Sequence, residues 1–94
     1  MGLDTVTTVE VRNVSASATA VGLFSHKPTA RLRYVFNDSS AILYLKFGAG
    51  ASATSHTVQV AAGGFYEFPF RPLYNGQVTG AWASATGAAR LTEG

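Results

Sequence analysis

The clearest strand-and-turn pattern of the chain is RLRYVFNDSSAILYLKF, residues 31–47. Its two halves alternate apolar with other side chains, which is the period of a β-strand. The intervening residues 37–40 all hydrogen-bond their own backbone readily in turns. The stretch therefore predicts a β-hairpin whose apolar faces pack together in one core. The predicted core face comprises Leu32, Tyr34, Phe36, Leu43, Leu45 and Phe47.

The rest of the chain repeats this strand-and-turn pattern and lacks helical periodicity. Further strand patterns cover residues 5–12, 18–24, 57–60, 65–68, 77–84 and 88–92. The small residues at 48–56 predict a flexible loop between two of them. About eight short strands at roughly 8–12-residue spacing are typical of antiparallel sandwiches and jelly rolls. We expect an all-β fold, with residues 1–94 forming a single antiparallel β-sandwich or jelly-roll-like barrel.

The composition points to an assembly component. Only 13% of the residues are charged, against roughly 25% in an average soluble domain. Ala, Gly, Ser and Thr together supply 43 of the 94 residues. A surface so poor in charge favours self-association. We therefore expect a homo-oligomer, and a trimer is the preferred form.

The numbers and spacing of the reactive residues favour a protein without catalytic activity and without bound cofactors. The chain has no cysteine, two histidines and five carboxylates, which are spread along the sequence. By residue type alone, Ser55, His56 and Asp38 could form a serine triad, but the sequence has no nucleophile-elbow motif. No metal-ligand spacing is present. The sequence predicts no catalytic, metal or cofactor site, no nucleic-acid partner and no membrane partner.

Aromatic residues are concentrated in one short segment, residues 65–74, which also contains two prolines. One small core cannot bury all of them, so we expect part of the segment to contact another protein. Filling of the core, or stacking on bases or sugar rings, are the alternatives. The predicted interface residues are Phe65, Tyr66, Phe70, Arg71 and Tyr74, joined by Val6 and Thr8. The last two belong to residues 1–12, a possible subunit-exchanging or attachment strand with a free edge.

Four segments in fixed order also resemble a known class of proteins. They read YVFNDSS at 34–40, LYLKFG at 43–48, AAGGFYEFPF at 61–70 and GAWASATGAARLTE at 80–93. This series is similar to small structural proteins of tailed bacteriophages and prophages. Residues 1–30 match no fixed pattern of that class, and the loop at 70–76 is longer than its usual turn. The resemblance implies a virion protein with a β-sandwich fold and no catalysis.

Within a virion, the short chain favours a capsid decoration (cement) protein. It has no coiled coil, β-helical shaft or second domain, which fibres and spikes usually need. Such a protein binds the major capsid protein on the outer head surface, after assembly in the host cytoplasm. One alternative is a small tail, neck or fibre component. Another is a carbohydrate-binding adhesion module that uses Trp82 and the aromatic segment.

Overall fold

The computed structural model describes residues 6–94, and these residues form eight β-strands and no helix. In chain order the strands are β1 Glu10–Ser15, β2 Val21–Phe24, β3 Arg33–Ser39, β4 Leu43–Phe47, β5 Val58–Val60, β6 Phe65–Glu67, β7 Val78–Trp82 and β8 Gly87–Glu93. Each of them overlaps one of the strand patterns predicted from the sequence. The all-β prediction of eight short strands is confirmed.

The strands form two antiparallel four-stranded sheets packed face to face. Sheet I has the order β1-β8-β3-β6, and sheet II has the order β2-β7-β4-β5. The pairing is nested, since the first strand pairs with the last, the second with the seventh, and so on inward. This order is that of a jelly roll. The predicted β-sandwich is therefore present in its jelly-roll form.

The apolar core lies between the two sheets. Both sheets contribute inward-facing side chains, as alternation along each strand requires. Leu43 and Leu45 of β4 are fully buried, as predicted, and Phe47 packs against the core from its edge. The principal core residues are Leu23, Phe24, Val35, Leu43, Leu45, Val60, Phe68, Val78, Trp82 and Leu91.

The predicted inward face of β3 is wrong by one residue. Tyr34 and Phe36 point away from the core, whereas Arg33, Val35 and Asn37 are fully buried. The inversion is possible because both buried polar side chains have complete sets of partners, which removes most of the cost of burying them. Throughout residues 6–94, no buried side-chain nitrogen or oxygen lacks a hydrogen-bond partner.

Strands β3 and β4 do not pair with each other, so the predicted hairpin is also wrong. β3 lies in sheet I and β4 in sheet II, and the residues between them form an arch across the core. The Asn37 side chain holds this arch, because its Nδ2 donates to the carbonyls of Ala41 and Val60 at 2.8 and 2.9 Å. Ser39 Oγ donates to Asn37 Oδ1 at 2.7 Å. The turn-forming residues bond locally as expected, but they turn the chain between sheets.

The loop that follows β4 lies folded on the outer face of sheet II. Thr79 of β7 anchors it, because its hydroxyl donates to Gly48 O at 2.7 Å and accepts from Ala51 N–H at 3.1 Å. Ala51 is buried beneath this contact, and Gly50 has a positive φ of 76° that favours glycine. The small residues of 48–56 thus allow close packing on a sheet, where flexibility was expected.

The N-terminal strand begins later than predicted, at Glu10 instead of residue 5. Its inward side chains include Arg12, whose Nη2 donates to Leu23 O of β2 at 2.9 Å and links the two sheets at their open side. Val9 and Val11, the apolar pair of this segment, are exposed. Residues 1–5 of the expected attachment strand lie outside the described residues.

Candidate protein-binding surface

The outer face of sheet I has an aromatic cluster at its β3–β6 side. Phe36 lies opposite Phe65 in the strand register, and Tyr34 packs on Phe65 with ring centroids 5.5 Å apart. Phe65 is 61% exposed and Phe36 is 38% exposed. Rings this exposed on neighbouring strands give a contiguous apolar surface, which is typical of a protein contact.

Beyond the end of β6, the chain adds a further exposed ring to this side of the molecule. Phe70 is 59% exposed, and the Arg71 guanidinium lies over its ring at 5.7 Å. Arg71 has a φ of 73° and precedes a cis peptide bond to Pro72. The backbone turns sharply here and presents both side chains outward. We call Tyr34, Phe36, Phe65, Phe70 and Arg71 the aromatic surface.

A groove of about 490 Å³ borders the aromatic surface. Its lining includes Val6, Leu32, Tyr34, Phe68, Phe70 and Arg71. The structure therefore brings the N-terminal segment and the aromatic segment together, which the sequence treated as two parts of one predicted interface. Val6 is half-buried in this groove, and Thr8 is exposed nearby in the chain.

Two of the predicted interface residues serve the core instead of offering a free ring. Tyr66 faces inward next to Phe68, with centroids 5.4 Å apart, and partial burial raises the pKa of its phenol above the usual value. Tyr74 stacks on Phe47 at 4.6 Å and donates its hydroxyl proton to Gln77 O at 2.8 Å. These two rings support the aromatic surface from below.

Charged side chains lie within and around the aromatic surface: Arg71 belongs to it, and Arg31 lines the adjoining groove. Arg90 lies opposite Phe36 on β8, where its Nη2 forms an ion pair with Asp38 Oδ2 at 2.9 Å. Glu67 lies opposite Tyr34 at the free edge of the sheet. The charges of Arg90 and Asp38 offset each other, and exposed rings bordered by charged side chains are typical of an interface with an apolar centre and a polar rim.

The two outer faces of the sandwich differ. On sheet II the loop at 48–56 covers the strands, and Tyr44 packs on His56 with centroids 5.0 Å apart. Sheet I has no comparable cover among the described residues. The exposed aromatic rings thus lie on the outer face that is left uncovered.

The residues of the hypothetical serine triad, Ser55, His56 and Asp38, lie on opposite sides of the sandwich. Asp38 lies on the outer face of sheet I with Arg90, whereas Ser55 and His56 lie on the opposite side, beyond sheet II. Ser55 Oγ accepts from Lys46 Nζ at 2.7 Å, and His56 Nδ1 donates to Ser52 O at 3.0 Å. This arrangement does not form a nucleophile–base–acid relay.

Residues 6–94 contain neither a cluster of metal-ligating side chains nor a membrane-spanning helix. No three histidine or carboxylate side chains lie close enough together to hold a metal ion. No helix in this part of the chain is long and apolar enough to cross a membrane.

Trp82, the other ring of the proposed sugar-binding alternative, lies in the core. It is buried, and its Nε1–H donates to Asn37 Oδ1 at 3.0 Å. A buried indole with its donor in use offers no stacking face to a sugar. Phe36 is one of the exposed rings. The sequence prediction missed it because it placed Phe36 in the core.

Comparison of the chain with family models, with curated proteins and with solved structures found no match.

Proposed function

We propose that this protein is a non-enzymatic structural component of a tailed-bacteriophage particle, a decoration protein that binds the major capsid protein on the outer head surface. The observation that carries the proposal is the aromatic surface, where Phe36, Phe65 and Phe70 are exposed together on one side of a rigid sandwich. The similarity of segments 34–40, 43–48, 61–70 and 80–93 to phage structural proteins supports the choice of partner.

Energetics also favour a binding role for this surface. Exposed phenyl rings cost solubility in a monomer, whereas aromatic and arginine side chains at the centre of an interface contribute most of its binding energy. β-Strands and packed tyrosines hold the rings in place, so little conformational entropy is lost on binding. The jelly-roll architecture itself does not decide the matter, because capsid, lectin and cupin domains share it.

Capsid binding tests the proposal directly. Empty heads that lack the protein are mixed with purified protein, and bound copies are counted by particle imaging. Copies in the hundreds indicate decoration of the shell. A single ring of a few copies at one vertex indicates the tail or neck alternative and contradicts decoration. Binding to host glycans with none to heads indicates the adhesion alternative and contradicts the proposal.

Two variants then locate the contact. Phe65→Ala and Phe70→Ala each remove an exposed ring and should weaken head binding by about 1–3 kcal/mol, without loss of thermal stability. Tyr66 and Tyr74 are unsuitable because their rings support the core. Ile42→Ala is the matched control, since Ile42 is 38% exposed beside the opposite sheet. If the control weakens binding and the phenylalanine variants do not, the contact lies on sheet II.

A further inference from the structure

The four edge strands of the sandwich are protected to different degrees. β5 and β6 contain three residues each, and β6 is followed closely by Pro69, which has no N–H to donate. β2 has four residues, and its register shifts between Gly22 and Phe24. Shortness, proline, bulges and charged side chains are the features by which natural sheets prevent pairing with another chain. β1 has only the last of them, in Glu10 and Arg12: it is six residues long, regular, and free of lysine and proline.

The free hydrogen-bonding groups of β1 belong to alternate residues. Ala16 N–H donates to Gly87 O at 2.9 Å in continuation of the β1–β8 ladder. By alternation, the even-numbered residues of β1 bond to β8, and the backbones of Val11, Asn13 and Ser15 face away from it. Within residues 6–94, β8 is the only strand that pairs with β1. The side chains of these three residues are uncharged, and Val11 is 64% exposed.

We propose that β1 pairs with β1 of a second copy of this chain, antiparallel and about a two-fold axis at Val11. In that register Val11 lies opposite Val11 of the second copy. On the other side of the sheet, Glu10 lies opposite Arg12 of the second copy, and the symmetry repeats this contact. Opposite charges directly across an antiparallel pair stabilise it. The charges of one β1 are thus complementary to those of a second β1, which favours a second copy of this chain as the partner.

The competing registers lack this complementarity. A two-fold axis at Arg12 places two guanidinium groups opposite each other, which is unfavourable. An axis at Asn13 places Arg12 opposite Val14 and Glu10 opposite Ala16, so both charges lose an opposite partner. In the monomer Arg12 Nε lies 3.6 Å from Glu10 Oε1 while Arg12 Nη2 donates to Leu23 O, so Nε can exchange one Glu10 for the other without breaking the link between the sheets. The two-fold pairing gives a dimer, in place of the trimer that the composition suggested.

Single cysteines test the register, because the natural chain has no cysteine. With the axis at Val11, the two Val11 Cα atoms lie about 5.5 Å apart, which a disulfide spans. The two Asn13 positions are then about four residues of strand, roughly 13 Å, apart. Val11→Cys should therefore form a disulfide-linked dimer on mild oxidation, and Asn13→Cys should not. The opposite result overturns the register. Equal crosslinking of Val11→Cys, Asn13→Cys and the control variant Ile42→Cys overturns it as well.

Mass measurement of the full, untagged chain tests the interface without any crosslink. Light scattering over a concentration series should show a species of twice the 9.8 kDa chain mass. Val11→Lys should weaken the dimer by roughly tenfold, because two like charges then meet at the axis. Ile42→Lys, the same change beside the other sheet, should leave it intact. A persistent monomer or a trimer overturns the proposal. No capsid is present in these assays, so their outcome is independent of the proposed function.

Discussion

Arg33 is a fully buried charged residue at the start of β3, and its five N–H groups are all in use. Nε donates to Glu93 Oε2 at 2.7 Å. Nη1 donates to the carbonyls of Tyr74 and Gly76, and Nη2 to those of Ser25 and Asn75, at 2.7–3.2 Å. The guanidinium also lies 4.8 Å from the centre of the Phe24 ring. One side chain therefore joins β8, the β2–β3 connection and the loop before β7.

Replacement of this side chain should be severe. Arg33→Lys keeps the charge but offers three donors from a single nitrogen, so several carbonyls and part of the Glu93 carboxylate lose their partners. We expect the free energy of unfolding to fall by about 3–5 kcal/mol, because each buried acceptor left without a donor costs about 1–3 kcal/mol. Urea-induced unfolding measures it.

Glu93→Gln is the companion variant to Arg33→Lys. Gln retains an oxygen acceptor for Arg33 Nε at nearly the same volume but leaves the buried guanidinium charge without its carboxylate, so it should also lower the free energy of unfolding by about 3–5 kcal/mol. A loss below about 1 kcal/mol for Arg33→Lys would be the value of a surface pair. That result would show that Arg33 is not buried as described.

The register of β3 can be tested by two adjacent residues. Val35 is fully buried and Phe36 lies on the aromatic surface. Phe36→Ala removes far more apolar volume than Val35→Ala, yet Val35→Ala should cost more stability because only it opens a cavity. Leu45→Ala on the facing strand should cost about 2–5 kcal/mol. Thermal and urea unfolding of the three variants give the order. If Phe36→Ala is the most destabilising, β3 faces the other way.

At the level of elements, the sequence predicts where strands lie better than which way they face. Alternating apolar runs and turn residues located all eight strands, since those signals are local. The face of β3 depends on partners that are distant in the chain. Arg33 is satisfied by Glu93 and by carbonyls near residues 25 and 75, and Asn37 by Val60 and Trp82. Hydropathy assigns such polar residues to solvent, so the pattern was read one residue out of register.

The candidate surface shows the same division between local and distant information. An excess of aromatic residues in 65–74 correctly indicated exposed rings, and Phe65 and Phe70 are exposed. Tyr66 alternates inward on β6, and Tyr74 stacks on Phe47 of the other sheet. The second contact depends on how the sheets pack, so no local pattern reveals it. Phe36 follows from the register of β3 and was missed for the same reason.

In the whole molecule, the nested strand order places the free edge of β1 and the aromatic surface at opposite edges of sheet I. β1 is the first strand of sheet I, and β3 and β6 are the third and fourth. In the proposed dimer the two copies of sheet I join into one sheet of eight strands. Its two-fold axis is perpendicular to the sheet, so both aromatic surfaces face the same way. Five strand spacings separate the two copies of β3, about 24 Å.

A dimer of this shape should bind a capsid with both aromatic surfaces at once, so its attachment should depend on β1. Once one surface is bound, the second binds at a high effective concentration, which raises affinity by up to ~10²–10⁴ without a new contact. Val11→Lys leaves the rings of Phe65 and Phe70 unchanged, yet it should lower the apparent affinity for empty heads by roughly tenfold or more. Ile42→Lys carries the same added charge and should bind like the parent. Titration of heads with each variant, at concentrations where the parent is dimeric, measures the difference. Equal affinity of the parent and Val11→Lys would mean that the heads engage one aromatic surface at a time.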